Sequence, residues 1–416
     1  MTSITLNPSK LTGNVRIPSS KSISHRAIIA ASLANGQSIV SNVDISEDIQ
    51  ATLECMEKLG AKYIKKDNEI HIDGTNILTL KEDITLDCHE SGSTLRFLMP
   101  LAILGKKEVS FLGKGRLMSR PQKPYFDLFD KKNIHYSQDE DCIKIKGNLH
   151  GGEYKIAGDI SSQFITGLLF TLPNLLEQSE IIITTNLESI GYVDLTIDVL
   201  QDFGINIENK GYKRFTVLGN QQYKPVNYTV ESDFSNAAFF LVAGAIGNNI
   251  TSLGLKANSL QGDKQIIDIL KNVGANIRID NQGGIKVAGG NLTGTTIDAK
   301  DIPDLVPILT VLCSFCKGES KIINAGRLRL KESDRLCAIA TELNKLGAKV
   351  EEGEDFLKVV GVDHLNGGVV DSWNDHRIAM SLAVASTRCL NDVTITDKDA
   401  VNKSYPNFWN DFRKMM

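Results

Sequence analysis

The stretch LQDFGINIENKGYKRFTVLG, residues 200–219, contains the end of an amphipathic helix, a glycine, and two extended segments around a polar turn. Related stretches are MEKLGAKYIKKDNEIHIDG (56–74), FDKKNIHYSQDEDCIKIKG (129–147), LKNVGANIRIDNQGGIKVAGG (270–290) and LNKLGAKVEEGEDFLKVVG (343–361). Their helix-ending residues, where a left-handed conformation is expected, are Gly60, Asn133, Gly204, Gly274 and Gly347. These residues lie 70 to 73 positions apart, which predicts a repeated unit of helices and antiparallel strands.

A second series of segments recurs at the same interval. Apolar runs follow small or acidic residues at Ser22, Gly92, Ser162, Asp233, Asp304 and Asp375, which are 70 or 71 positions apart. Because each run is mostly apolar for about ten residues, we predict buried helices with polar first turns. The two series together predict an α/β fold of the α+β type. It has two domains, each of three such units of helices and antiparallel strands, with the buried helices parallel to one another.

The sixth unit lacks its closing strands, and the N-terminal strand at Ser3–Leu6 is a candidate to complete it. The chain would then begin in the second domain, pass through the first, and return. We therefore predict that residues 18–229 form the domain of repeats 1 to 3. Residues 1–17 and 230–416 form a discontinuous domain of repeats 4 to 6, and the active site lies in the cleft between the two.

Composition excludes several classes of protein. The net charge of −4 over 416 residues gives no field that would gather nucleic acid or an anionic membrane. No basic leader and no apolar run of about eighteen residues is visible, so we expect a cytoplasmic enzyme that acts on small molecules, as a monomer. Cys313 and Cys316 form a CxxC inside an apolar run without a second pair, which predicts core packing rather than metal binding.

Cations stand on the polar first turns of the predicted buried helices. They are Lys21, Arg26, Arg96 and Arg377. Helix N-termini attract anions because their first N–H groups lack partners within the helix. Helix capping accounts for the small residues but not for arginine one turn inside an apolar helix. The pattern therefore predicts a site for phosphorylated anions.

Two further charged segments accompany these helices. SRPQKP places Arg120 in a loop, and RLRLKESDR places Lys331, Glu332 and Arg335 at a helix start. We interpret Arg327 and Arg329 as solvated, and the residues at the helix start are equally consistent with capping and with function. No P-loop, HExxH or GxSxG motif is present, which disfavours a nucleotide or metal enzyme.

The motifs as a group resemble the enolpyruvyl transferase family. They are IPSSKSISHR, SGSTLRF, SRPQKP, GDISSQF, SIGYVD, IPDLVP, LKESDR, NDHR and NKSYPNF, and they span essentially the whole chain. The resemblance implies two similar domains of βαβαββ units that close on substrate. It also implies transfer of the enolpyruvyl group of phosphoenolpyruvate to the 5-hydroxyl of shikimate 3-phosphate, with release of phosphate. This reaction belongs to the pathway to chorismate and aromatic amino acids, and the family needs no metal or organic cofactor.

The resemblance also implies roles for individual residues. Those matching contacts to shikimate 3-phosphate are Lys21, Ser22, Arg26, Ser161, Ser162, Gln163, Ser189, Asp304 and Lys331. Those matching contacts to phosphoenolpyruvate are Lys21, Gly92, Arg120, Gln163, Arg335, Arg377 and Lys403. Asp304 matches the base toward the hydroxyl, and Glu332 matches the group that handles the carbon-bound proton. Because nearby cations suit a carboxylate to be a base, Lys21 and Lys403 remain alternative donors of that proton.

Three alternatives remain. The UDP-N-acetylglucosamine enolpyruvyl transferase shares the repeat and the chemistry, but it typically carries a reactive cysteine in the loop matching residues 113–124, where this chain has none. RNA 3′-phosphate cyclase shares the repeat unit but requires a basic surface. A non-catalytic phosphate-binding protein would leave Asp304 and Glu332 without a role. Arg327 and Glu90 depart from the asparagines frequent in the family, so neither is assigned to the site.

Overall fold

A computed structural model describes residues 2–280 and 283–416. Met1 and the polar turn of the fourth repeat at 281–282 lie outside these residues. The α-helices are α1 Lys21–Leu33, α2 Glu47–Lys58, α3 Gly92–Ala102, α4 Lys123–Lys132, α5 Ser162–Thr171, α6 Ile190–Asp202, α7 Phe234–Ala245, α8 Ile266–Asn272, α9 Val306–Cys313, α10 Arg335–Lys345, α11 His376–Ser386 and α12 Phe408–Met415. The strands are β1 Ser3–Leu6, β2 Thr12–Arg16, β3 Gln37–Ser41, β4 Lys62–Lys66, β5 Glu69–Asp73, β6 Ile84–Asp87, β7 Val109–Leu112, β8 His135–Gln138, β9 Cys142–Lys146, β10 Gly152–Ile156, β11 Ser179–Ile183, β12 Ile207–Lys210, β13 Arg214–Val217, β14 Asn227–Thr229, β15 Asn249–Leu253, β16 Asn276–Ile279, β17 Ile285–Ala288, β18 Thr296–Asp298, β19 Glu319–Ile323, β20 Lys349–Glu352, β21 Leu357–Val360, β22 Gly368–Asp371 and β23 Val393–Thr396.

The predicted βαβαββ unit is confirmed. In the second repeat, β6 pairs in parallel with β7 across α3, and α4 then leads to the antiparallel hairpin β8–β9, whose second strand pairs with β7. The third and fifth repeats have the same strand order, β10-β11-β13-β12 and β18-β19-β21-β20. The fold class predicted from the two series of spacings is therefore correct.

The first and fourth repeats exchange their first strands. β2 directly precedes α1 in the chain but pairs with β15 of the fourth repeat. β14 directly precedes α7 but pairs with β3 of the first repeat. The prediction for the sixth repeat is also confirmed, because β1 pairs antiparallel with β23 and completes the sheet β1-β23-β22.

The chain divides into two compact units. One consists of Ser19–Val230 and is called here the continuous unit. The other consists of Met1–Pro18 with Glu231–Met416 and is called the discontinuous unit. Each has its own apolar core, built around the central helices of its repeats. Among the described residues, no helix combines the length and apolar character needed to cross a membrane.

The predicted helix ends are confirmed by backbone geometry. Gly60, Asn133, Gly204, Gly274 and Gly347 all have positive φ, between 55° and 109°. Glycine and asparagine tolerate this left-handed conformation, whereas other residues are strained in it. The chain can therefore leave the helix and enter the next strand within one or two residues.

The central helices of the continuous unit lie parallel and very close. Gln163, at the start of α5, bonds to Ser93 at the start of α3. Further along, a side chain at Gly167 would come within 2.4 Å of the carbonyl oxygen of Arg96. The hydroxyl of Tyr125 donates to that same carbonyl at 2.8 Å. The polar first turns of α3 and α5 are therefore brought side by side, as the sequence predicts.

Candidate active-site residues

Asp304 lies at the centre of a cationic cluster in the discontinuous unit. It stands in a short 3-10 turn, Pro303–Leu305, that leads into α9. Its carboxylate accepts from Arg335 at 2.8 Å and from Arg377 at 3.1 Å, and the Lys331 ammonium is 3.6 Å away. The Asp304 side chain is 19% exposed, so a ligand atom can still reach it. Three predicted site residues, Lys331, Arg335 and Arg377, therefore surround a fourth, Asp304.

This surrounding charge controls the ionisation of Asp304. Burial would raise its pKa, but Arg377, Lys331 and Arg335 outweigh burial and hold the pKa well below its usual range. The same cluster affects Lys331, whose pKa is lowered by burial and by its cationic neighbour Arg335, against the opposing effect of Asp304. Asp304 is therefore a carboxylate at neutral pH.

Arg335 connects three carboxylates. Its side chain is 1% exposed, and it bonds to Asp304, to Glu332 at 2.7 Å and to Asp375 at 2.8 Å. Burial lowers the pKa of Arg335, but these carboxylates raise it above its ordinary value. Arg335 begins α10, and the side chain of Asp334 caps this helix by accepting from the backbone N–H of Cys337. The structure therefore combines capping with an ion network at this helix start.

Arg377 and Lys403 each contact a backbone carbonyl near this cluster. Arg377 donates to the carbonyl oxygen of Asp304 at 3.1 Å, in addition to its contact with the carboxylate. Lys403 is buried and donates from Nζ to the carbonyl oxygen of Asn374 at 2.7 Å. Since Asn374 directly precedes the cap of α11, both cations are tied to the polar starts of the central helices.

Lys21 begins α1 in the continuous unit and has an acidic partner. Its ammonium is 2.8 Å from the carboxylate of Asp48 on α2, and its side chain is 16% exposed. Asp48 is not among the residues predicted from the sequence. Its position in the first turn of an amphipathic helix is equally typical of a residue that favours the helix dipole. The pair orients Lys21 while leaving part of its surface accessible.

Arg26 is buried among neutral acceptors. It donates to the carbonyls of Ser22 at 2.6 Å and Tyr192 at 3.0 Å, and to the hydroxyls of Thr196 at 2.8 Å and Thr166 at 3.4 Å. Burial lowers its pKa to about 10, so it stays charged at neutral pH. Arg26 thus ties α1 to the first turn of α6.

Gly92, Arg120 and Gln163 converge at the starts of α3 and α5. A side chain at Gly92 would place its first carbon 2.9 Å from Arg120 Nη1 and 3.6 Å from Gln163 Oε1. Gln163 accepts from Arg96 at 2.9 Å and donates to Ser93 at 3.0 Å. Arg120 and Gln163 therefore both lie beside Gly92, with which they are predicted to share a ligand.

The remaining predicted serines lie at helix starts. Ser161 caps α5 by accepting from the backbone N–H of Gln163, and Ser162 is buried beside it. Ser189 is buried directly before α6 with φ of 57°, a conformation that favours glycine or asparagine. Such strain outside a glycine is frequent at functional sites. Ser22 lies in the first turn of α1, where its carbonyl oxygen accepts from Arg26.

Two carboxylates had a larger part in the discontinuous unit than the sequence indicated. Asp375 caps α11, as the capping interpretation predicts, but it also accepts from Arg335 and Ser333. Asp263 was not identified, although burial and the negative charge of Asp304 raise its pKa to about 7. Its Oδ2 accepts a hydrogen bond from Ser235 on α7. Neither contact has a spacing that sequence alone reveals.

A family model and curated relatives both match this chain over nearly its whole length. The sequence model of the EPSP synthase family, 3-phosphoshikimate 1-carboxyvinyltransferase, matches residues 6–412. The 3-phosphoshikimate 1-carboxyvinyltransferase of Clostridium perfringens is 52% identical over 100% of this chain and 98% of its own length. That of Clostridium novyi is 51% identical over the same shares.

Solved structures resemble this chain over its whole length. EPSP synthase from Acinetobacter baumannii superposes with a TM-score of 0.81 at 25% identity, covering 99% of this chain and 98% of that protein. The enolpyruvyl transferase NikO from Streptomyces tendae superposes with a TM-score of 0.80. At 16% identity, and with 99% and 96% of the two chains covered, NikO indicates the shared fold alone.

Proposed function

Since the chain belongs to the EPSP synthase family of 3-phosphoshikimate 1-carboxyvinyltransferases, we propose that the candidate residues at its helix starts bind the two substrates and transfer the protons of the reaction. The chain is a transferase of the shikimate pathway, which supplies aromatic amino acids. It transfers the enolpyruvyl group of phosphoenolpyruvate to the 5-hydroxyl of shikimate 3-phosphate. The products are 5-enolpyruvylshikimate 3-phosphate and phosphate.

The reaction needs two proton transfers at carbon and one at oxygen. In the addition step, the 5-hydroxyl oxygen bonds to C2 of phosphoenolpyruvate, loses its proton to a base, and C3 gains a proton. In the elimination step, C3 loses a proton and the C2–O bond to phosphate breaks. The protein must therefore supply a base near the hydroxyl and a group that both gives and removes a proton at C3.

Asp304 is the proposed base toward the 5-hydroxyl. Its carboxylate is ionised because three cations face it, and one side of it is accessible. A base with a depressed pKa is a weak one, so its contribution depends on alignment with the hydroxyl and on the developing positive charge it faces. The position of the Asp304 carboxylate among three cations is the observation that supports the proposal most strongly. A protein that only binds anions has no need of a carboxylate at this place.

Glu332 is the proposed group at the carbon-bound proton. It lies 2.7 Å from Arg335 and is 16% exposed on its side chain. Lys21 and Lys403 are alternative donors of the first proton. Lys21 lies 2.8 Å from the carboxylate of Asp48, and the buried Lys403 donates to the carbonyl oxygen of Asn374. Asp304 is therefore the proposed acceptor of the hydroxyl proton, and Glu332, Lys21 and Lys403 are the candidate donors of the proton to C3.

The remaining residues are proposed to bind the substrates. The proposed contacts to phosphoenolpyruvate are Lys21, Gly92, Arg120, Gln163, Arg335, Arg377 and Lys403. The proposed contacts to shikimate 3-phosphate are Lys21, Ser22, Arg26, Ser161, Ser162, Gln163, Ser189, Asp304 and Lys331. Binding both substrates at once would juxtapose the reacting atoms, and juxtaposition contributes several kcal/mol, about 7 to 11 in the best intramolecular reactions. We further propose that the protein acts as a monomer in the cytoplasm.

One assay tests this assignment. Phosphate release from phosphoenolpyruvate is measured with shikimate 3-phosphate, with UDP-N-acetylglucosamine, and without an acceptor. We expect release only with shikimate 3-phosphate. Asp304→Asn should lower kcat by roughly 100-fold or more, as loss of a general base typically does. Release with the nucleotide sugar, or unchanged turnover in Asp304→Asn, would contradict the substrate or the base respectively.

A further inference from the structure

The loop that leads into α11 has an unusual backbone. It is called here the Trp373 loop and comprises residues 371–375. Trp373 and Asn374 both have left-handed φ, 55° and 49°. Two consecutive left-handed residues without glycine are disfavoured, so contacts outside the loop must hold them. The loop ends in Asp375, the cap of α11, two residues before Arg377.

Glu342 on α10 supplies such contacts. Its Oε1 accepts from the Trp373 indole N–H at 2.8 Å, and its Oε2 accepts from the backbone N–H of Asp371 at 3.0 Å. The carboxylate is 1% exposed, whereas its cationic neighbour Lys345 is 49% exposed and lies 2.9 Å away. The two carboxylate oxygens therefore hold two different points of the loop from a buried position.

The loop is held by the same helix at its other end. Arg335, two turns before Glu342 on α10, donates to Asp375 at 2.8 Å. Between these attachments, the carbonyl of Asn374 accepts from Lys403 at 2.7 Å. A change in the loop would therefore move the partner of Lys403 and the start of the helix that carries Arg377.

We propose that Glu342 is a positioning residue that sets the affinity for phosphoenolpyruvate by fixing the Trp373 loop. The inference rests on the proposed function, in which Arg377 and Lys403 bind this substrate. Glu342 acts through the loop, since its oxygens are occupied by loop donors and it is buried. Its effect should therefore fall on phosphoenolpyruvate more than on shikimate 3-phosphate.

The requirement is for a carboxylate and not only for the shape of the side chain. Both oxygens of Glu342 accept from an N–H group. Glutamine has the same shape, but its amide NH2 group would face one of these two N–H donors. The amide NH2 and that N–H would then both be buried without an acceptor. Glu342→Gln should therefore disturb the loop with almost no change in volume.

The experiment measures KM for each substrate, kcat and the melting temperature of Glu342→Gln, Trp373→Phe and the double variant. We expect Glu342→Gln to raise KM for phosphoenolpyruvate roughly tenfold, as expected for a buried donor left unsatisfied, and to change KM for shikimate 3-phosphate less than twofold. Trp373→Phe removes the competing N–H group. The double variant should therefore have a KM for phosphoenolpyruvate near that of Trp373→Phe alone.

Two reference variants separate the possible failures. Glu351→Gln changes an exposed glutamate on β20 and should leave both KM values unchanged. Arg377→Lys tests the proposed binding residue directly and should raise KM for phosphoenolpyruvate. If it does not, the proposed function is wrong at this residue, whatever Glu342→Gln does.

Several results would overturn the positioning role while leaving the proposed function intact. One is an effect of Arg377→Lys together with an unchanged KM in Glu342→Gln. A second is an equal rise in both KM values. A third is a double variant whose KM for phosphoenolpyruvate is as high as that of Glu342→Gln. If Glu342→Gln does not fold, Trp373→Phe decides, because a KM for phosphoenolpyruvate equal to that of the natural protein contradicts the role of the indole contact.

Discussion

Asp263 predicts a specific dependence of stability on pH. Its side chain is buried near Asp304, and burial together with that negative charge raises its pKa to about 7. In the unfolded chain the pKa of an aspartate is about 3.9. Between these values the folded state binds more protons than the unfolded state, so stability falls as pH rises. Asp263→Asn removes this titration and keeps an oxygen that can accept from Ser235.

The size of the effect follows from the two pKa values. Linkage gives a penalty of roughly 1 to 2 kcal/mol at pH 5 and about 4 kcal/mol at pH 8 for the natural carboxylate. The natural protein should thus lose roughly 2 to 3 kcal/mol relative to Asp263→Asn between these pH values. For a unit of about 200 residues this corresponds to a shift in melting temperature of about 6 °C.

Calorimetry measures the effect without assuming that two units unfold together. Melting temperatures of the natural protein, Asp263→Asn and Asp268→Asn are compared from pH 5 to pH 8. Asp268 is an exposed aspartate on α8, and its variant should follow the natural protein. Parallel curves for the natural protein and Asp263→Asn would show that Asp263 is ionised in both states and would refute the argument.

Two further predictions concern the contacts of the site. Gly92→Ala places a carbon 2.9 Å from Arg120 Nη1, so Arg120 must shift. Steady-state kinetics should show KM for phosphoenolpyruvate raised about tenfold and KM for shikimate 3-phosphate changed less than twofold. A KM for phosphoenolpyruvate equal to that of the natural protein would refute the close approach. Arg335→Met leaves three carboxylates without their shared buried cation and should cost about 3 to 5 kcal/mol of stability by calorimetry. Arg329→Met, which breaks more exposed pairs, should cost at most about 1 kcal/mol, and equal losses would contradict the buried network.

Periodicity carried most of what could be predicted of the fold. The spacing of the helix-ending residues depends on local conformation, because a left-handed residue is required wherever the chain turns from helix to strand. The predicted domain bounds already assigned β2 to the second domain and β14 to the first, but the pairing of β2 with β15 and of β14 with β3 had no such signal. Both strands precede a buried helix in the chain, so their sequences fit either sheet, and only the tertiary arrangement decides the pairing.

Candidate site residues could be predicted where a residue type is unusual for its position. Arg26 and Arg377 are charged residues within the first two turns of apolar helices, and this contrast is visible in the sequence. Asp48 and Asp263 were missed because an aspartate near the start of a helix is ordinary. Their importance depends on partners 27 and 41 positions away, Lys21 and Asp304, which no local pattern identifies.

Two of the buried arginines, Arg26 and Arg335, differ in their acceptors, and this difference supports the roles proposed for them. Arg26 donates to carbonyl and hydroxyl oxygens, which satisfy its N–H groups without cancelling its charge. Arg335 instead bonds to three carboxylates, so its charge is compensated within the protein. A cation held by neutral acceptors retains its attraction for an anionic substrate, whereas a cation among carboxylates keeps Asp304 ionised. The first arrangement suits binding of a phosphorylated substrate, and the second suits removal of a proton from it.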